Sequence, residues 1–343
     1  MTATILVLGR SGQVARELAK IGPPKGFVFE FAGRDRLDLA TEDPRRLIEE
    51  IRPAAVINAA AHTAVDQAES EPEAAFRLNR DVPAVVAKAC AQAATPFVHF
   101  STDFVFDGAK AGPYVETDAI GPLNVYGASK AAGEAEVLAA GGPAVILRIS
   151  WVFGAHGVNF LRRMLQRAES QEEIGVVADQ LGRPTWAEDC ACGSLRALEA
   201  LMDGTIGGPE LFHLSGVGDA SVADLTEAIF AESAARGGRS ARVRRITTAE
   251  RPTPARRPAN SRLDCSKIGR VLDWPLRDWR EGLSACFDEM DRLAEPAQAA
   301  ASMTAATAWR TWNTSSRQRA AASIGRGCSA RASAAARKPS ASP

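Results

Sequence analysis

The 343 residues contain little that marks a membrane, secreted or metal-binding protein. No long hydrophobic run occurs. The first apolar stretch, Ile5 to Leu8, is too short for a signal peptide or a membrane span, and a cytoplasmic protein is expected. The six cysteines form no C-x-x-C pair, and their spacing fits neither a zinc site nor a small disulfide framework, so reduced thiols are expected. The four histidines show no pair at metal-ligand spacing, which favours structural roles for them. Neither charge sign dominates: 41 basic residues face 41 acidic ones. Seven of the basic residues lie after Glu295, where no acidic residue occurs, so residues 1–295 carry 34 basic and 41 acidic groups, a net −7. A mildly acidic body argues against a nucleic-acid surface there.

What is present is a strand–helix rhythm. Short apolar runs without alternation lie at 4–8, 27–32, 55–60, 97–101 and 144–150. Helical patterns separate them at 13–20, 44–51, 73–92 and 125–140, with Pro83 kinking or splitting the third. Unalternating strands are covered on both faces, and repeated strand–helix units imply right-handed crossovers in a doubly wound parallel α/β sheet, a Rossmann arrangement. Beyond Trp151 the rhythm becomes irregular, with helical patterns at 160–169, 190–202, 222–235 and 281–293 and short strands at 174–178, 211–214 and 242–246. The expected division is a cofactor-binding domain over 1–150, to which later segments can return, and a smaller α/β substrate domain over 151–296. A basic, Ala/Ser/Thr-rich stretch over 297–343 is read as disordered.

The first strand runs into G-R-S-G-Q-V-A, with Gly9, Gly12 and Ala15 at the key positions. Glycine permits the tight turn and lets a pyrophosphate approach the backbone, while the next helix offers free N–H groups and a positive dipole end. A purely structural turn is the alternative. The second strand ends in Ala32, Gly33 and Arg34. An arginine there can pair with the extra phosphate of NADP, which leans the choice towards NADPH, but Asp35 is adjacent and NADH stays open.

The strongest signal is Y-G-A-S-K, Tyr126 to Lys130, at the start of a helical pattern. Residues four apart share a helix face, so the Lys130 ammonium is expected to lower the pKa of the Tyr126 phenol and make it a usable proton donor. Upstream, Ser101 and Thr102 place hydroxyls at the carboxyl end of the fourth strand, where ligands sit in open α/β sheets. Together these features suit hydride transfer to a carbonyl, with a hydroxyl orienting the carbonyl and a phenol supplying the proton.

Over residues 4–293 the chain resembles the dTDP-4-dehydrorhamnose reductase family of the extended short-chain dehydrogenase/reductases. The carrying segments are N-A-A-A-H-T-A-V-D-Q-A-E (58–69), S-T-D-F-V-F-D-G (101–108), P-L-N-V-Y-G-A-S-K (122–130), R-I-S-W-V-F (148–153), D-Q-L-G-R-P-T (179–185) and R-P-A-N-S-R-L (257–263). The resemblance implies that Thr102, Tyr126 and Lys130 form the catalytic trio, and Tyr126 and Lys130 are also expected at the cofactor, Lys130 holding its nicotinamide ribose. It implies further that Gly12, Gln13 and Val14 hold the cofactor phosphates, that Asp38 and Leu39 lie on the adenine side, and that Ala60, Ala61 and Thr63 line the cofactor. Asp103 and Trp151 are implied as substrate contacts, with a sugar nucleotide as substrate. Arg183, Arg257 and Asn260 are further candidates for its diphosphate, with ordinary surface charge as their alternative. Some relatives pair as dimers with a divalent ion, so a homodimer and Mg2+ are left open, without ligands placed. Departures from the family pattern are Ala15 for a frequent glycine, and Phe104 and Phe100, which lack a hydroxyl. An epimerase or another 4-ketoreductase of the same superfamily, or a non-catalytic regulatory subunit, are the competing functions.

Overall fold

The computed structural model describes residues 2–275 and 277–294. The stretch from 297 onwards, including Cys328, lies outside the described residues.

The N-terminal half alternates strands and helices: β1 (Ala3–Leu8), α1 (Gln13–Ile21), β2 (Phe27–Ala32), α2 (Pro44–Ile51) and β3 (Ala55–Asn58). Two short helices follow, α3 (Val65–Ala68) and α4 (Pro72–Phe76), then a π-turn over Arg77–Asp81 that runs into α5 (Val82–Gln92). Pro83 has no N–H to give to the preceding turn, which accounts for the loosened ladder just before it. β4 (Phe97–Thr102), α6 (Val125–Ala140) and β5 (Ala144–Ile149) complete this half.

The later half holds β6 (Val152–Phe153), α7 (Phe160–Ala168), β7 (Glu173–Val177), β8 (Leu181–Gly182), β9 (Thr185–Trp186), α8 (Ala187–Met202) and β10 (Glu210–Leu214). After these come β11 (Ala220–Ser221), α9 (Val222–Ala235), β12 (Arg242–Ile246), α10 (Ser266–Leu272) and α11 (Trp279–Ala294). Several of these boundaries differ from the sequence pattern by three residues or fewer, with β7, β10, α8 and α11 starting earlier, and the two-residue strands β6, β8, β9 and β11 and helix α10 were not read from the sequence.

Six parallel strands form one sheet in the order β10-β5-β4-β3-β1-β2. The order turns back between β1 and β3, and such a reversal opens a crevice at the carboxyl ends of the strands. β10 comes from the later half and pairs in parallel with β5, from Glu210 beside Val145 to Leu214 beside Ile149. The central strands are buried on both faces, Ile5, Leu6, Val7 and Leu8 having no exposed surface, while the edge strand β2 is only partly covered. A core of Leu6, Leu8, Val56, Phe97 and Ile146 packs against Leu47, Ile48, Val86 and Val137 from the covering helices. A second core lies in the later half, where Phe153, Trp186 and Trp279 meet Ile174, Ile229 and Phe287. Two-stranded pairs, β7 with β12, β8 with β11 and β6 with β9, frame that second core.

Candidate active site

The cleft at the sheet reversal is about 410 Å3 in volume. It is lined by the loops after β1, β2 and β3, and seven of the residues singled out for a cofactor meet in it: Gly9, Gly12, Arg34, Asp38, Leu39, Ala60 and Ala61. Gly9 has φ +98°, and a Cβ there would lie 3.2 Å from the Ala59 carbonyl carbon and the Ala60 nitrogen, so the loop can pass this close only with glycine. Gly12 is the N-cap of α1 and brings no side chain to cap it, which leaves first-turn N–H groups facing the cleft. At the end of β2, Asp35 pairs with Arg10 at 3.1 Å and Arg36 pairs with Glu50 at 2.8 Å. Arg34 is exposed and makes no hydrogen bond or ion pair among the described residues.

Five of the cofactor candidates lie off this lining: Gln13, Val14, Thr63, Tyr126 and Lys130. Gln13 instead accepts a hydrogen bond from Asn159 Nδ2 at 2.9 Å, tying α1 to the later half. Val14 is half-buried on the first turn of α1, and Thr63 is exposed beyond the cleft wall.

At the carboxyl end of β4, Thr102 is buried and its hydroxyl donates to Asp103 Oδ1 at 3.0 Å while accepting from the Phe104 N–H at 3.2 Å. Burial pushes the Asp103 carboxyl up to about 7, against the opposing hydrogen bonds of Ser261 and Thr102. Its Oδ2 is buried with no tight hydrogen-bond partner. α6 begins next to this end. Asn124 caps it by accepting the Gly127 N–H at 2.7 Å, which sets Tyr126 in the first turn and Lys130 in the second. The Tyr126 ring meets Phe104 edge-on at 5.8 Å between centroids.

The expected coupling of Lys130 to Tyr126 is not what this structure holds. Burial pushes the Tyr126 hydroxyl up to about 12, with the hydrogen bond to Thr102 opposing and the nearby Asp103 carboxylate adding to the rise. The Lys130 ammonium has other partners. It donates to the Phe100 carbonyl and lies 3.5 Å from His99 Nε2. Burial lowers it to about 8, with Glu134 opposing. Helical spacing alone does not reveal that the ammonium has a strand carbonyl within reach.

Trp151 follows β5, whose last residue, Ile149, lies beside Thr102 in register. Its backbone is left-handed at φ +47°, a conformation that costs a bulky residue about 1–3 kcal/mol and persists only when neighbours impose it. Those neighbours are Arg183 and Thr185. The Ser150 hydroxyl donates to the Arg183 carbonyl at 2.5 Å, the Thr185 hydroxyl donates to the Ser150 carbonyl at 2.7 Å, and the Thr185 N–H donates to the Trp151 carbonyl at 3.3 Å.

Three further candidates are engaged in holding the fold. Arg183 and Arg262 share Asp219 at 2.9 and 2.7 Å. Arg257 grips Asp66 through two 3.0 Å hydrogen bonds. Asn260 donates to the carbonyls of Lys110 and Gly112. Residues that sequence reasoning missed include Asn79, which joins the His62 backbone to the Ser129 hydroxyl, and Asn58, whose amide lies 3.2 Å from His99 Nδ1. Ser261 was missed beside Asp103, although it lies in a quoted segment. The five described cysteines are free and buried.

Glu17, His156 and Glu289 bring ligand atoms within 4.8 Å of one another. The Lys20 ammonium already sits 2.5 Å from Glu17, 2.7 Å from Glu188 and 2.9 Å from Glu289. A cation of the protein itself fills the crossing, so this cluster does not fit a divalent ion, and the Mg2+ expectation gains no support.

The family model described as the RmlD substrate binding domain matches residues 3–292. A dTDP-4-dehydrorhamnose reductase of Sinorhizobium fredii is 42% identical over 279 residues, 81% of this chain and 94% of its own length. That of Escherichia coli K12 is 38% identical over 295 residues, 83% and 97% of the two chains. Among solved structures, a dTDP-4-dehydrorhamnose reductase of Bacillus anthracis in complex with NADP superposes with a TM-score of 0.77 at 31% identity, covering 84% of this chain and all of its own. The Clostridium acetobutylicum enzyme gives the same TM-score at 32% identity, covering 84% and 99%.

Proposed function

The chain belongs to the RmlD family of dTDP-4-dehydrorhamnose reductases, and from that membership we propose that it reduces the 4-ketone of dTDP-4-dehydro-L-rhamnose to dTDP-L-rhamnose at the expense of NADPH. The observation that carries this reading is the grouping of buried Thr102, Asp103 and Lys130 with half-buried Tyr126 at the strand ends, on the same edge of the sheet as the phosphate-shaped loop of Gly9 and Gly12.

When bound, the dinucleotide supplies the hydride. The residues present suit it: a loop that only glycine can form, uncapped N–H groups at α1, and the unpaired cation Arg34 at the end of β2. Arg34 suits the extra phosphate of NADPH, and the complex of the Bacillus anthracis relative with NADP agrees with that choice. Thr102 orients the carbonyl by its hydroxyl. Tyr126 donates its proton to the oxygen of the new alcohol; a phenol near 12 is still a stronger acid than the alkoxide's conjugate alcohol. Lys130, engaged with the Phe100 carbonyl, is left to hold the cofactor ribose. Residues 151–296, with Asp103 and Trp151 at their border, take the sugar nucleotide. None of the described helices is long and apolar enough to cross a membrane, and we place the enzyme in the cytoplasm.

The test is oxidation of NADPH, and separately of NADH, with the 4-keto sugar nucleotide as substrate. Ketone-dependent oxidation faster with NADPH, and a loss of that preference in Arg34→Ala, is the expected result. Conversion of the sugar without net NADPH consumption would point to an epimerase instead. Sedimentation of the same preparation decides between a monomer and a homodimer.

A further inference from the structure

Gly182 stands in β8, in the segment D-Q-L-G-R-P-T, with a backbone that any residue could adopt. Its lack of a side chain is nevertheless used. A Cβ built there would lie 2.3, 2.6 and 2.7 Å from Cε2, Cζ2 and Cδ2 of Trp151. The indole therefore lies flat on the bare Cα of Gly182, in space that any side chain would take. The ring cannot yield cheaply, because its own backbone is clamped by Ser150, Arg183 and Thr185.

Gly182 cannot yield either. The Leu181 N–H donates to the Ala259 carbonyl and the Leu181 carbonyl accepts from the Ser261 N–H, both at 2.8 Å. β8 is also paired with β11, Gly182 lying opposite Ala220. Arg183, on the other side, donates to the Leu263 carbonyl at 2.6 Å and to Asp219 at 2.9 Å. Ser261 in turn is one of the groups that act on the Asp103 carboxyl. An unbroken set of contacts thus runs from the reacting end of β4, through Ser261 and Leu181, to the surface on which the indole rests.

We propose that Gly182 is a positioning residue for the sugar: its bare backbone fixes the depth of the Trp151 indole, and the indole fixes where the sugar ring stops relative to Thr102 and Tyr126. This rests on the reading of Trp151 as a substrate contact. Gly182 touches neither the cofactor cleft nor the reacting groups, so it acts only through the ring.

A double-mutant cycle over Gly182→Ala and Trp151→Ala tests it. Wild-type turnover with the 4-keto sugar nucleotide establishes the enzymatic reading first, and its absence would defeat that reading alone. Binding of dTDP-L-rhamnose, followed by calorimetry, then tests the positioning role whether or not turnover occurs. In Gly182→Ala, KM and the dissociation constant of the sugar nucleotide should rise about tenfold or more, displacements near 1 Å at a reacting centre being costly, while NADPH affinity holds. In the Trp151→Ala background the added methyl has room, and Gly182→Ala should change sugar binding by less than about twofold. Equal effects in both backgrounds, or no effect in either, would overturn the proposal. Should Gly182→Ala fail to fold, the double variant must recover the melting temperature of Trp151→Ala; failure to recover would overturn it as well.

Discussion

On the proposed reading, turnover depends on Tyr126 and Thr102. Tyr126→Phe keeps the ring that meets Phe104 and removes only the proton. Turnover should fall about a hundredfold to ten-thousandfold, the usual worth of a general acid, with NADPH affinity unchanged by fluorescence titration. Asp103 gives a second test at this scale. Its carboxyl is raised in the fold from 3.8 to about 7, mainly by burial. The folded state then holds a proton that the unfolded chain has released, so this group's contribution declines as pH rises from 3.8 to about 7. Thermal melts across that window should show a shallower decline for Asp103→Asn than for the natural protein. Parallel slopes would mean that the carboxyl is not perturbed. The identities at this end of the sheet were legible because Y-G-A-S-K and S-T-D carry chemistry in their residue types. The directions of the side chains were not, because the carbonyl of Phe100 and the hydroxyl of Ser261 come from segments 30 and 131 residues away from Lys130.

At the scale of elements, all five apolar runs are strands, and four are covered as their lack of alternation implies; β2, at the sheet edge, stays partly open, with Val28 exposed. α6 and α9 occupy the spans their periodicity marks, 125–140 and 222–235. Pro83 was read as a kink or split; the outcome is a π-turn just ahead of it, a distinction that rests on backbone bonds and leaves no mark in hydrophobic spacing. Less legible still was the tie between α6 and β5. Arg148 meets Glu134 through two hydrogen bonds, at 2.8 and 2.6 Å, with both side chains 4% exposed. Each residue alone looks like surface charge on a helix or a strand end. Removing one partner leaves the other charge buried, so Arg148→Met should cost about 3–5 kcal/mol in denaturant unfolding. A cost below about 1 kcal/mol would show that water reaches the pair.

Across the whole molecule, the two cores are sewn together in several places. β10 enters the main sheet from the later half, Asn159 holds Gln13, and Arg257 holds Asp66. The sequence break at residue 150 marks a change of rhythm, and it could not reveal how much chain returns across it. The described body should therefore unfold in one cooperative transition, followed by calorimetry, in place of two separate ones. NADPH at a hundred times its dissociation constant should raise stability by about 2.7 kcal/mol. Two resolved transitions, with only the first moved by NADPH, would contradict this.

The ammonium of Lys20 bears on that unity from an unexpected end. It is lodged among glutamates of α1, α8 and α11, while the opposite tip of α1 carries the turn built for phosphates. Nine residues make a rod of roughly 13 Å, anchored at its tail and reading a ligand at its head. Such a rod is aimed from behind: Lys20→Met would release three carboxylates to repel one another, tilt the shaft and blunt the grip on a dinucleotide that Lys20 never touches.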